Sequence, residues 1–110
     1  MGAFNEVLGK LPCPQCLNLV EIEIQFKYGS VFQHKYKLGE KLIWGGNDVG
    51  MPDRARVVLD GEGSKCSSCG YDRDWPVYVY LDNDVITSVT VATGVYDFAS
   101  VHESFLVLSE

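Results

Sequence analysis

Basic residues and long apolar runs are scarce in this chain of 110 residues. Lys and Arg together number 9 against 15 acids, so the formal net charge is −6. Because affinity for nucleic acid comes largely from cations on phosphates, this balance argues against a nucleic-acid-binding protein. No apolar run approaches the roughly 20 residues of a membrane span, and the first residues lack the basic start and apolar core of a secretory signal. We therefore expect a soluble, cytoplasmic protein with a single domain over residues 1–110.

The familiar catalytic motifs are also missing. The sequence has no nucleophile elbow, phosphate-binding loop or dinucleotide-binding fingerprint. His102-Glu103 is not followed by the second histidine that a zinc-protease helix requires. His34 falls on the apolar side of an alternating segment, where a partly covered histidine is more common than a metal ligand. We therefore expect that the protein is not an enzyme.

The few cysteines form two C-x-x-C pairs, Cys13/Cys16 and Cys66/Cys69. In such a turn the backbone curls so that both sulfurs point the same way, and two turns supply the four thiolates of one closed tetrahedral site. We therefore predict one structural zinc ion per chain, with iron in a rubredoxin-like site as the lesser alternative. Disulfides and a redox-active pair are further alternatives, although a strand pattern follows Cys16 where a redox motif would open a helix.

The residue after each pair refines this prediction. Gly70 follows Cys69 and can take the positive φ that relieves the turn, whereas Leu17 occupies the matching place after Cys16. The four cysteines, with a strand pattern after each pair, resemble a zinc ribbon, in which two knuckles close on one ion. Residues 25–29, 44–50 and 71–78 are also similar to small bacterial zinc-ribbon proteins that carry no assigned activity. The resemblance implies a β-hairpin fold.

Alternating apolar and polar residues predict antiparallel strands and hairpins, hence an all-β fold. Residues 19–28 and 31–38 should pair through the loop Tyr28-Gly29-Ser30, which sets Phe26 against Phe32 and Glu23 against Lys35. Further strands are predicted at residues 41–44, 54–59, 75–81 and 85–91, with turns at residues 60–63 and 82–84. Helical spacing of apolar residues predicts short helical turns in residues 1–12 and 97–110. In the second of these segments, residues 105–108 also fit a strand, which is the alternative there.

We expect that the protein acts by binding another protein. The glycine-rich loop at residues 45–53 and an acidic, aromatic stretch at residues 71–80 are the candidate contact surfaces. The residues to test there are Trp44, Asn47, Asp48, Asp72, Asp74 and Trp75. Because zinc ribbons often serve transcription or translation, nucleic-acid association is the alternative hypothesis, and metal storage or sensing is a weaker third.

Overall fold

The computed structural model describes residues 4–31, 33–46, 48–73, 75–98 and 105–109. Within these residues the regular elements are strands, so the prediction of an all-β fold is confirmed. No helix in this part of the chain is long and apolar enough to cross a membrane. The strands are β1 (Asn5–Pro12), β2 (Leu19–Phe26), β3 (Gly29–Ser30), β4 (Lys35–Lys37), β5 (Asp48–Val49), β6 (Arg56–Gly63), β7 (Pro76–Asp82), β8 (Val85–Val91) and β9 (Phe105–Ser109).

Most of the strands belong to one curled sheet of seven, ordered β4-β1-β2-β6-β7-β8, with β9 also paired to β6. All of its pairs are antiparallel except β1 with β4, which run parallel. The long strand β6 pairs with β7 on one edge, while its other edge is shared between β2 and β9. Strands β3 and β5 form a separate two-stranded sheet.

The first strand replaces a predicted helix. Residues 5–12 alternate in burial, with Asn5, Val7, Gly9 and Leu11 inside, so their period is two rather than 3.6. The spacing of their apolar residues was compatible with a helix and with a strand. The strand forms because β2 pairs with β1 along its whole length. The predicted helical turn in residues 1–12 is therefore wrong for the described residues.

The predicted hairpin of residues 19–28 with 31–38 is also wrong. β1 lies between β2 and β4, so Leu8 stands opposite both Glu23 and Lys37. The faces were assigned correctly only in part. Phe26 and Tyr36, both predicted on the apolar face, are buried with their ring centroids 6.0 Å apart, whereas Leu38, predicted on the same face, is 46 % exposed. Phe32, the predicted partner of Phe26, lies outside the described residues.

The second predicted hairpin is confirmed, because β7 and β8 pair antiparallel across the turn at Asn83 and Asp84. The predicted turn at residues 60–63 is wrong, since β6 continues through Gly63. A Cβ on Gly63 would lie 2.9 Å from the Trp75 ring, so this glycine serves close packing in a strand. Of the predicted strand at residues 41–44, only the isolated bridge from Lys41 to Val85 forms.

In the described final part of residues 97–110 the strand alternative is confirmed and the favoured helix is wrong. Strand β9 forms there, and Phe105 packs edge-on against Tyr28 with ring centroids 5.1 Å apart. Val101 and His102 lie outside the described residues.

The curl of the sheet brings its outer strand β8 towards β1 near the opposite edge. Val89 of β8 packs on Gly9 of β1, where an added Cβ would come within 2.6 Å of a Val89 methyl carbon. The segment after β4 hydrogen-bonds to β8, with Gly39 N–H donating to Ile86 O at 2.7 Å and Ile86 N–H donating to Glu40 O at 3.0 Å. The enclosed core is one continuous cluster that extends to the cysteine pairs.

Candidate metal centre

The first cysteine pair forms the connection between β1 and β2. Cys13 N–H donates to Asn18 O at 3.0 Å, and Leu17 N–H donates back to Cys13 O at 3.0 Å. Gln15 N–H points at the Cys13 sulfur, 3.4 Å away. Leu17 has φ +62°, the left-handed conformation that a knuckle turn imposes.

The second pair repeats this turn between β6 and β7. Cys66 N–H donates to Tyr71 O at 2.8 Å, Gly70 N–H donates to Cys66 O at 2.9 Å, and Ser68 N–H lies 3.4 Å from the Cys66 sulfur. Gly70 has φ +79°, as its position in the sequence predicted. The two turns therefore match bond for bond, and they differ in having Leu17 where the second has Gly70.

The sheet brings the two knuckles together because β2 and β6 are neighbouring strands. Ser64 N–H donates to Glu23 O at 3.0 Å beside the second knuckle. Asn18 Nδ2 lies 3.4 Å from Ser68 Oγ and links the two turns directly.

All four sulfurs lie within 4.8 Å of one another. The Cys13 and Cys69 sulfurs are 3.6 Å apart, and those of Cys16 and Cys66 are 3.9 Å apart. Four sulfurs at about 2.3 Å from one tetrahedral ion would be about 3.8 Å from each other. The four predicted ligands are thus positioned to bind one metal ion, with spacing compatible with Zn²⁺.

The electrostatics of the four-cysteine cluster also favour a bound cation. Desolvation raises the pKa of the Cys13 thiol, but N–H groups of Cys16 and Gln15 and the neighbouring thiols outweigh it and lower that pKa to about 6. At Cys69 the Tyr71 N–H lowers the pKa, whereas desolvation and the other sulfurs raise it to about 11. Without a metal, ionisation of the Cys13 thiol is favoured over that of Cys69, because two thiolates at this distance repel each other. A divalent ion removes that conflict.

The predicted partner residues are divided between two places. Trp44 is half-buried against the Tyr28 ring, at a centroid distance of 5.4 Å. Its indole Nε1 is buried without a hydrogen-bond partner among the described residues. Asp48 is exposed and its carboxylate accepts the Gly45 N–H at 3.0 Å, which holds the loop. Asn47 lies outside the described residues.

The second group lies beside the second knuckle. Asp72 is exposed, and Asp74 lies outside the described residues. Trp75 is only 1 % exposed and packs edge-on against Tyr71, with ring centroids 6.2 Å apart. Its indole is thus part of the core next to the metal centre and presents almost no surface to a partner, contrary to the role proposed from sequence. The sequence did not decide whether Trp75 is exposed or buried, because a tryptophan at the start of a strand is compatible with a position on the surface or in the core.

Sequence reasoning missed an exposed apolar surface on the first knuckle. We call it the apolar tip, and it consists of Pro12, Pro14, Leu17 and Leu19. Leu17 is 75 % and Leu19 68 % exposed, and Pro12 stands directly opposite Leu19 in the β1/β2 ladder. The signal that could have found it was Leu17 in the place that Gly70 occupies in the other knuckle.

Comparison with family models, curated proteins and solved structures finds no significant match to this chain.

Proposed function

We propose that this chain is a zinc-stabilised, non-catalytic protein that acts by binding another protein through the apolar tip. Zinc is proposed as the metal because four thiolates in tetrahedral array are its typical structural ligands, and iron is the alternative that the same sulfurs allow. Four sulfurs also complete the coordination shell. Such an ion keeps no open position for a water or substrate, which supports a structural role.

The observation that carries the binding proposal is the conformation and exposure of Leu17. A left-handed backbone costs an L-residue about 1–2 kcal/mol, and glycine avoids that cost. Leu17 nevertheless holds φ +62° while the residue is 75 % exposed. Since the folded chain gains little from this leucine, its side chain is best explained by a contact outside the chain.

The composition of the apolar tip suggests the kind of partner. Its neighbours within the knuckle, Gln15 and Asn18, are exposed and uncharged, although the chain as a whole carries −6. An uncharged turn with two exposed leucines suits insertion into an apolar pocket of another protein. A nucleic-acid backbone would require cations there.

The exposed carboxylates of Asp48 and Asp72 stay secondary candidates, since both remain accessible to a basic partner. They lie on other segments from the apolar tip. Substitutions of Asp48 and Asp72 therefore test these carboxylates separately from the apolar tip.

A photo-crosslinking experiment tests the proposal. A photoreactive residue is placed at position 19 of the zinc-loaded protein and, as a control, at Val95, which is 71 % exposed. We expect one protein from the producing cells to crosslink at position 19 and not at 95. That protein, once identified and purified, should bind the wild type and lose affinity for a Leu17→Gly, Leu19→Ser variant.

Equal affinity of the wild type and this variant for the purified protein would refute the apolar tip as the contact surface. Salt-sensitive binding of random duplex or single-stranded nucleic acid by the zinc-loaded protein would instead favour the nucleic-acid alternative.

A further inference from the structure

The four cysteines of the metal centre differ in their exposure to solvent. Cys69 is exposed and Cys16 is half-buried, whereas Cys13 and Cys66 are buried. The buried sulfurs also accept the backbone N–H groups of Gln15 and Ser68, each at 3.4 Å. A small oxidant in solution therefore meets Cys69 first.

The sulfur in closest contact with Cys69 comes from the other knuckle. Cys13 Sγ is 3.6 Å from Cys69 Sγ, and the second contact, Cys16 with Cys66 at 3.9 Å, also joins the two turns. The sulfur of each more exposed cysteine thus touches the sulfur of a buried cysteine across the centre. A disulfide formed from either contact would connect knuckle to knuckle.

We propose that Cys69 is a peroxide-reactive site of the zinc centre and that its oxidation forms a disulfide with Cys13. This inference rests on the proposed zinc site. The Cys69 thiolate attacks one peroxide oxygen, forming an S–O bond as the O–O bond breaks, and the departing hydroxide takes a proton to become water. The Cys13 thiolate then attacks the Cys69 sulfur, forming the S–S bond and expelling a second hydroxide, which is also protonated.

The electrons balance in this sequence. Two thiolates lose two electrons, one hydrogen peroxide gains them, and two protons are consumed to give two waters. Only Cys16 and Cys66 remain as thiolate ligands, which is too few for a closed zinc site, so the ion is released.

The position of the crosslink determines its effect on the fold. Cys13 directly follows β1 and Cys69 lies between β6 and β7, so the disulfide joins the same two parts of the sheet as the metal. Oxidation should thus replace the ionic crosslink with a covalent one and leave the knuckles together. Bonds within each C-x-x-C pair would instead leave them unconnected.

Peroxide treatment of the zinc-loaded protein tests this inference. Zinc release is followed with a chromogenic chelator, free thiols are then alkylated, and proteolytic peptides are mapped by mass spectrometry. We expect zinc release together with a peptide pair joined through Cys13 and Cys69, lighter than the reduced pair by two hydrogen atoms. Crosslinks confined to the C-x-x-C pairs, or retention of zinc with all thiols reduced, would overturn it.

Two matched variants separate reactivity from metal binding. Cys69→His and Cys16→His each keep four zinc ligands, in the Cys₃His set that structural zinc also accepts. The Cys69 variant should release zinc more slowly under peroxide and lack the crosslink, while the Cys16 variant should still form it. Equal release from both variants would contradict the assignment to Cys69. Protein that holds no zinc before oxidation would overturn the zinc centre itself, whereas release with a different crosslink overturns only this inference.

Discussion

The matched pair of knuckles offers a direct measurement of backbone strain at Leu17. Replacing Leu17 by Gly and, separately, by Ala removes the same mostly exposed side chain. The difference between the two variants then isolates the cost of φ +62°. In the left-handed region this cost for alanine is about 1–2 kcal/mol, offset by the extra freedom of glycine in the unfolded chain, about 0.5–1 kcal/mol. The glycine variant should thus be the more stable by about 1 kcal/mol.

The second knuckle supplies the control. Gly70 has φ +79°, and an added Cβ would meet nothing closer than Lys65 Cε at 3.7 Å. Gly70→Ala should therefore lose about 1 kcal/mol from conformation alone, without a steric clash. The two glycine-to-alanine differences, at positions 17 and 70, should agree.

Urea unfolding at saturating zinc measures these differences, provided that the slope against urea is the same for all variants. In thermal unfolding the shift should be roughly 4 °C for a domain of this size. If the alanine variant at position 17 is as stable as the glycine variant or more stable, Leu17 is not strained, because at ordinary negative φ alanine is the more stable residue. The claim that Leu17 is kept for a partner would then lose its basis.

Three further predictions concern the metal and the sheet. Removing zinc with a chelator should cost on the order of 10 kcal/mol, enough to unfold a domain of this size, and far-UV circular dichroism that does not change would contradict a structural ion. Asn5→Ala should cost about 3 kcal/mol in urea unfolding, because the buried amide bonds Tyr28 O, Ser30 O and His34 N–H, while a loss below about 1 kcal/mol would show that water replaces it. Burial and the neighbouring Glu23 raise the pKa of the Glu6 carboxyl above 4.5 in the folded protein. The folded state therefore favours the protonated form of Glu6, and this contribution to stability is present below pH 4.5 and is lost as the pH rises through the pKa of Glu6 in the folded protein. Glu6→Gln should therefore gain stability over the wild type towards pH 7 and match it in acid, and a constant difference across this range would contradict the assignment.

The metal centre was the part of the structure most accessible from sequence. A C-x-x-C spacing determines a local turn, and the positive φ of Gly70 followed from the same local geometry. The β7/β8 hairpin was equally local, because a short turn joins two alternating strands. Short-range patterns were therefore sufficient for these elements.

The strand order could not be obtained in this way. Alternation assigned Phe26 and Tyr36 to the buried face correctly, but any strand with a matching face could have paired with β2. β1 takes that place, and its apolar spacing was compatible with a helix as well. Trp75 was misplaced for a similar reason, because its burial depends on Gly63 of a neighbouring strand that was predicted to be a turn.

The segment at residues 39–42, which hydrogen-bonds to the outer strand β8, affects how copies of the protein meet. The outer edge of a sheet normally carries free N–H and C=O groups that can recruit a strand from another molecule and begin aggregation. Here both backbone groups of Ile86 and the carbonyl of Asp84 are already bonded, the latter by Leu42 N–H at 2.8 Å. This stretch of β8 is therefore closed to strand addition, and concentrated protein should resist fibril growth from that edge.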